Sequence, residues 1–590
     1  EGEEFQERRW VEELEHREAA NDECEVNPEE LDSQFPPDPD IFSLSKSPIS
    51  DCPICGLQFI NFSEEQVSIH VNKCLDGKIT TTISKTSASA TVGQLGCDAE
   101  RLPPGHTPPK PAQPSPFPLN SVHAGQPSAF SKLMASNAED AAWANAAASE
   151  EASRGKRSFE RTCPFYKILP GFAICVDAFR YGAVEGCQAY FLSHFHSDHY
   201  IGLSGKWCHG PIYCSRATGN LVRQQLRVDP KWVVDLDFEQ ETEVPGTGGV
   251  TVIMIPANHC PGSSLFLFQK ALGKGPNPKK RRVLHCGDFR ACRSHVEHPH
   301  LCPSIPCPTS GKTKLQKIDV CYLDTTYLNP KYAFPPQEDV VQACVDMSVS
   351  LNNSTSNLLK GTKQEGGLAQ FVKNGDTAAP LAGGKSDIKR NQGRLLIVVG
   401  TYSIGKEKIC IAIAKALKSK IFASTPKRRI CACLEDPELD ELLTSNPREA
   451  QVHMAPLSEL QPQTLDAYLQ DFQDCFQSIV GFRPSGWNYR PPTGRSMTNL
   501  TVKTVLFGQN WKSRYAVNNM GPQRGSTKRA ACFGVPYSEH SSFRELTMFC
   551  CALHIDRIIP TVNTGSAKSR QMMRYWADQW GAERRKNGLF

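Results

Sequence analysis

Four residues able to bind a metal ion fall within six consecutive positions of the segment YFLSHFHSDH, which runs from Tyr190 to His199. They are His194, His196, Asp198 and His199, at the end of an apolar run that reads as a strand. In an extended segment alternate side chains point the same way, so His194 and His196 can grip one ion while the turn beyond them delivers Asp198 and His199 to a second. A lone histidine is ordinary structure; this crowding at a strand end is a ligand set. Further candidates follow other apolar runs: His259 after VTVIMIPAN, Asp288 after RVLHCG, and His540 within YSEHSS. Imidazole suits zinc and a carboxylate such as Asp288 can bridge two ions, so the set has the composition of a paired-metal centre that hydrolyses phosphodiesters.

A second set stands near the start. Cys52, Cys55, His70 and Cys74 follow C-x2-C-x14-H-x3-C, three thiolates and one imidazole at the spacing of a structural zinc site. Ser63 and Gln66 form a capping box that starts a helix running through Cys74, with His70 and Cys74 on one face.

The elements that must position these residues occupy only part of the 590-residue chain. Residues 1–48 are an acidic arm, with sixteen acidic and three basic side chains in the first forty positions, and no apolar periodicity. The finger takes 49–78, and a Ser/Thr/Ala/Pro-rich linker takes 79–160. From Cys163 the texture changes to short apolar runs (AYFL, VTVIMI, RVLHC, DVCYL) between Gly, Pro and polar turns, which are buried strands. Low complexity near 351–393 precedes the strand Leu395 to Val399, the loop GTYSIGKEK and an amphipathic helix, Lys408 to Leu417, a βα unit. Residues 488–530, carrying many Lys and Arg among Asn, Gly and Pro, are expected to be an exposed basic loop. The KKRR run, Lys279 to Arg282, is expected at a solvated hairpin tip. The 24 cysteines fall below the density of a disulfide scaffold, and 66 basic against 62 acidic residues leave only +4 of net charge. Neither a signal core nor a run long enough to span a membrane is seen, and Glu1 stands in place of a start Met, as is expected where the sequence is incomplete at its N-terminus.

Asp177 in VDAF, HFHSDH, His259 in ANHCPG and Asp288 in GDFR resemble the successive motifs of metallo-β-lactamase-fold hydrolases. Asp324 in LDTTY and His540 in YSEHSS resemble the first two motifs of the β-CASP branch, whose members process nucleic acids. TCPFYKILPG, VEGCQAYFLSHFHSDHY, GTYSIGKEK and FRPSGW are similar to the DNA cross-link repair exonucleases of that branch, the relatives of Artemis. The resemblance implies an α/β fold: an αββα sandwich over 161–326, completed by 535–590, with a β-CASP α/β domain inserted at 327–534. It implies that His194, His196 and His259 hold one metal, Asp198, His199 and His540 a second, and that Asp288 bridges. Asp177 would stand behind a ligand and orient it, and Asp324 would support the second-metal side. The cofactor would be zinc, one or two ions, with magnesium or manganese as alternatives in the second position; a water activated by the ions would attack phosphorus, with Asp198, Asp288, His540 and Asp324 as the catalytic set. Val562 in PTVN stands where DNA-processing members carry Val and RNA-processing members His. The finger resembles ubiquitin-binding zinc fingers of repair proteins, although Asn72 replaces the acidic residue usual two places after the ligand His.

The expected activity is a 5′-to-3′ exodeoxyribonuclease acting in the nucleus, as a monomer, on 5′-phosphorylated, damaged or cross-linked DNA, with ubiquitin or ubiquitylated proteins as partners and no membrane. Ser403 and Lys406 in GTYSIGKEK, Ser541 and Ser542 after His540, and Arg483 in FRPSGW are the expected phosphate and DNA contacts. The competing readings are an RNA-processing relative and a non-catalytic ubiquitin-binding scaffold; the complete ligand set argues against the latter.

Overall fold

The first apolar runs after Cys163 form a sheet of very short strands: β1 Ile168–Leu169, β2 Ile174–Val176, β3 Ala189–Phe191, β4 Ile212–Ser215 and β5 Val233–Leu236. They lie side by side in sequence order, parallel from β2 onward. A computed structural model of the protein describes residues 109–117, 129–153, 156, 160–273, 275, 278–306, 313–359, 394–492, 500–512 and 514–587. The acidic arm and the finger residues Cys52, Cys55, His70 and Cys74 lie outside the described residues.

A second sheet faces the first. Its meander is β6 Glu241–Val244, β7 Val250–Pro256, β8 Ser264–Leu272 and β9 Lys279–His285; a separate ladder, β10 Ser304–Pro306 with β11 Thr313–Leu315, intervenes before β12 Ile318–Leu323. The order is β19-β12-β9-β8-β7-β6, where β19 is Ile555–Pro560, more than 200 residues after β12. Side-chain alternation divides this sheet between two cores. Val250, Val252, Met254, Phe266 and Phe268 pack between the sheets against Val176, Phe191 and Tyr213. Ile253, Ile255, Leu265 and Leu267 face outward onto the helices Phe543–Ala552 and Ala567–Asn587, through Phe549, Trp576 and Trp580. The far side of the first sheet is covered by the helix Arg216–Gln225, whose Leu221 and Val222 are fully buried. The layers are therefore helix, sheet, sheet, helix.

Between β12 and β19 the chain builds a third sheet, wholly parallel: β13 Arg394–Thr401, β14 Ile421–Phe422, β15 Leu443–Thr444, β16 Val452–Pro456, β17 Phe476–Pro484 and β18 Ala530–Val535, in the order β15-β14-β16-β13-β17-β18. Its central strands are apolar throughout because helices cover both faces, Gln337–Leu359 and Glu407–Leu417 on one and Pro462–Gln470 on the other. The connection order reverses between β13 and β17, and in such sheets ligands bind beyond the carboxyl ends of strands at that reversal. Those ends carry GTYSIGKEK and FRPSGW.

Four expectations need correction. The linker expected through residue 160 contains a helix, Ala129–Ala152. Its Trp143 is buried, its ring 4.6 Å from Phe165 and stacked on Tyr166, and its Asp140 pairs with Arg574 of the last helix. The KKRR run is not a hairpin tip: Lys279 opens β9, and the run pairs with Gln269 through Leu272 of β8. Low complexity near 351 does not stop the helix Gln337–Leu359. The basic tract 488–530 holds the helix Val502–Phe507, whose Val502, Val505 and Leu506 join Trp511 in the core beneath the C-terminal helices. Val502, Val505 and Leu506 do stand at helical spacing, but six residues are too short a stretch for that period to stand out within the polar tract. Among the described residues no helix is long and apolar enough to cross a membrane.

Trp143→Ala should cost about 3 to 5 kcal/mol, the usual range for truncating a buried aromatic. The expected result is a lowered thermal midpoint and new protease cleavage within 129–153. An unchanged midpoint and cleavage pattern would show that this helix is not docked.

Candidate metal centre

Strand ends of all three sheets meet at one place. β2 leads into Asp177, β3 leads through Ser193 into His194 and His196, and a four-residue helix, Ser197–Tyr200, carries Asp198 and His199. β7 leads to His259, β9 to Asp288, β12 to Asp324 and β18 to His540. Close approach is enforced at Gly287, with φ +55°, where a Cβ would lie 2.6 Å from that of Ser193. Asp177 and Asn258 also hold positive φ, 49° and 55°, strain of the kind that collects at functional sites.

Three histidines converge on one point. His196 Nδ1 lies 3.0 Å from His194 Nε2 and 3.1 Å from His259 Nε2. The outer nitrogens are already committed: His196 Nε2 donates to the carbonyl of Ile404 at 3.1 Å, and His259 Nδ1 to that of Glu539 at 2.9 Å. Each of these rings therefore carries its proton on the outside and turns a lone pair inward. Facing lone pairs in a buried pocket repel unless a cation lies among them, so the donor set fits a metal ion. Burial and the neighbouring imidazoles push His194 and His259 well below the ordinary histidine range, which keeps these donors unprotonated.

The second cluster is mixed. His199 Nε2 lies 3.0 Å from Asp288 Oδ2, which is also 3.7 Å from His194 Nε2. Asp288 Oδ1 is buried with no hydrogen-bond partner among the described residues, an orphaned acceptor that a cation would satisfy. Ligand atoms of His259, Asp288 and His540 also lie within 4.8 Å of one another, so Asp288 stands between the histidine groups. Asp198 is placed at the rim: its side chain is half exposed and its Oδ2 is 3.6 Å from His199 Nε2.

Behind the imidazoles stand carboxylates. Asp177 Oδ2 is 2.8 Å from His199 Nδ1, and Asp177 is itself fixed by the amide and hydroxyl of Ser193 at 2.9 and 2.7 Å. Asp324 Oδ2 is 2.8 Å from His540 Nδ1, with its other oxygen bound by the amide and hydroxyl of Thr326. Burial alone would raise the pKa of either carboxyl; His199 in one case, and His540 with Thr326 in the other, outweigh it and hold both below the usual range. Val562 lies alongside, its carbonyl accepting from Thr325 Oγ1 at 2.6 Å.

The expected phosphate contacts fare differently. Arg483 is fully buried with Nη1 on the carbonyl of Leu460, so it braces the core rather than meeting a nucleic-acid backbone. Ser541 Oγ donates to the carbonyl of Phe289 and accepts from the amide of Ala291, joining the Asp288 and His540 loops. Ser542 caps the helix Phe543–Ala552 in a box with Glu545. Lys406 is buried, its ammonium over the Tyr402 ring and 3.6 Å from Glu539 Oε2. Ser403 remains half-buried beside it. Cys260 and Arg290 are among the residues that went unread in the sequence. Cys260 has its thiol among His194, His196 and His259, and burial with Glu539 nearby pushes its pKa well up; its only sequence sign is adjacency to His259. Arg290, buried, holds the carbonyls of Ser538 and Pro335 and the Glu545 carboxylate, which no local pattern announces.

A sequence model described as DNA repair metallo-beta-lactamase matches residues 437–566. The chain is 38% identical over 540 residues to the DNA cross-link repair protein pso2/snm1 of Schizosaccharomyces pombe, which covers 91% of this chain and 79% of that protein. It is 37% identical over 420 residues to the DNA cross-link repair protein SNM1 of Arabidopsis thaliana, with 71% and 70% covered. It is 26% identical over 400 residues to the 5′ exonuclease Apollo of Danio rerio, with 67% and 52% covered.

Because an imidazole ligand depends on the group behind it, Asp324→Asn should weaken metal affinity about 10- to 100-fold. Competition against a fluorescent chelator measures this directly. An unaltered affinity would remove His540 and its carboxylate from the metal centre.

Proposed function

The chain belongs to the pso2/snm1 family of DNA cross-link repair proteins, and from that membership and the geometry of the buried centre we propose that it is a metal-dependent nuclease of interstrand cross-link repair. The observation that carries this is the inward convergence of His194, His196 and His259 beside the orphaned oxygen of Asp288. In this reading those histidines hold one ion, Asp198, His199 and His540 a second, and Asp288 is shared. Bound there, divalent ions, zinc foremost, would make water nucleophilic near neutral pH and neutralise charge on the phosphate oxygens. Asp198, at the open rim, is the carboxylate best placed to orient the incoming water and phosphate. Asp177 and Asp324 keep His199 and His540 turned inward, and the apolar core around them excludes bulk water.

The substrate is DNA, supported by Val562 in the strand-end loop next to Thr325 and Asp324, and the polarity is 5′ to 3′, supported by the likeness to the 5′ exonuclease Apollo of Danio rerio. The third sheet is the β-CASP domain of this reading, inserted between β12 and β19, and its switch-point cleft is the path for the strand. Recognition of a 5′ phosphate falls to Ser403 and the surface around the 402–406 turn, which follows the carboxyl end of β13 and reaches His196 through Ile404. The Cys52, Cys55, His70, Cys74 module serves as a zinc finger for ubiquitylated partners of a nuclear, monomeric enzyme.

The test uses the purified chain on DNA labelled separately at each end, with 5′-phosphate and 5′-hydroxyl forms, matched RNA and a chelator control. Chelator-sensitive shortening of DNA from the 5′ end is expected. Asp198→Ala and His540→Ala should each lower turnover about 100-fold or more while DNA affinity changes little, as for groups acting in the transition state. Near-normal turnover by either variant, or faster digestion of RNA, would overturn the assignment.

A further inference from the structure

His196 is turned inward by a carbonyl that belongs to the third sheet. Ile404 lies in the turn after β13, where Gly405 and Lys406 both hold positive φ, 105° and 70°. A side-chain-bearing residue such as Lys406 is strained in the left-handed region, and two carboxylates hold this turn. Glu407 accepts the Gly405 amide through both oxygens, at 2.8 and 3.0 Å, and Glu539 Oε1 accepts the Lys406 amide at 2.8 Å. The fit is tight, since a Cβ on Gly405 would lie 2.7 Å from Glu539 Oε2.

Lys427 completes the arrangement. It comes from the helix Thr425–Cys431 and places its ammonium 2.9 Å from the carbonyls of both Tyr402 and Ser403 and 3.1 Å from Glu407 Oε1. Three donors meet three acceptors, and the buried charge of Glu407 is balanced. The ammonium is bonded to the turn and to the carboxylate that pins it, and the turn in turn carries the Ile404 carbonyl to His196.

We propose that Lys427 is a positioning residue for the metal centre: through Glu407 and the 402–406 turn it fixes the Ile404 carbonyl, and so the tautomer and angle of His196. The inference rests on the reading of His194, His196 and His259 as metal ligands. With the carbonyl fixed, the His196 proton stays on Nε2 and its lone pair on Nδ1 points at the shared site. With the turn released, either nitrogen can carry the proton and the ring loses its bearing.

Full-length Lys427→Met, Lys427→Arg and His196→Ala are compared by competition for Zn2+ against a chelator, and by thermal midpoint with and without Zn2+. Lys427→Met should lower Zn2+ affinity about 10- to 100-fold, the usual effect of removing support behind a ligand, and shrink the Zn2+-induced rise in midpoint. Lys427→Arg, which keeps the charge and the donors, should recover affinity to within a few-fold. If His196→Ala loses Zn2+ while Lys427→Met lowers only the midpoint of the metal-free protein, the lysine is merely structural and the inference fails alone. If His196→Ala itself leaves Zn2+ affinity intact, the metal reading of that histidine fails first. An arginine variant as weak as the methionine one would also overturn positioning by charge. Should Lys427→Met not fold, Glu407→Gln is measured in the same way against the same expected loss.

Discussion

Everything in this structure answers to the problem of keeping five imidazoles and three carboxylates together away from water. Desolvation of so many polar groups is expensive unless each has a defined partner. The solution is directional: each ring is held from outside, by Asp177, Asp324, the Ile404 carbonyl or the Glu539 carbonyl, so that its remaining nitrogen points inward. His194 is held similarly by Ser193, whose hydroxyl lies 3.0 Å from its Nδ1. What is left unsatisfied faces the centre, and a cation is the natural complement.

That demand explains the architecture. No single loop can supply both the inward donors and the outward partners, so strand ends from three sheets are brought to one locus. The junction is stapled by buried polar side chains rather than by apolar contact alone. Arg290 ties the Asp288 loop to the carbonyl of Ser538 and the cap of the following helix, and Ser541 ties it to the loop of His540. The GTYSIGKEK turn does the same from the third sheet.

Most of the site was legible because its residues follow recognisable strands. HFHSDH announces itself by crowding, and His259, Asp288 and His540 follow apolar runs that become β7, β9 and β18. The supporting groups were not legible. Glu407, Lys427 and Arg290 are ordinary charged residues by local pattern, and only the folded chain shows that their partners lie up to 255 residues away. The same limit applies to the serines: Ser541 and Ser542 look like an anion site in sequence, and only the folded chain shows their hydroxyls stapling a loop and capping a helix. The helix around Trp143 was hidden by an alanine-rich composition that also suits a linker. Fold class was easier, since the continuous apolar runs that become β7 and β8 already imply strands buried on both faces.

The return of the chain to β19 has a bearing on how the protein is made. β12 leaves the ribosome with one edge paired to β9 and the other open until residues 555–560 arrive, and the intervening sheet must be synthesised first. At about 5 to 20 residues per second the wait is roughly 10 to 50 s. For that time an apolar strand edge, which templates pairing with other chains, stands uncovered beside a half-built centre lacking His540. The nascent chain is thus vulnerable to aggregation, and its ligand set is incomplete until residue 540 has emerged.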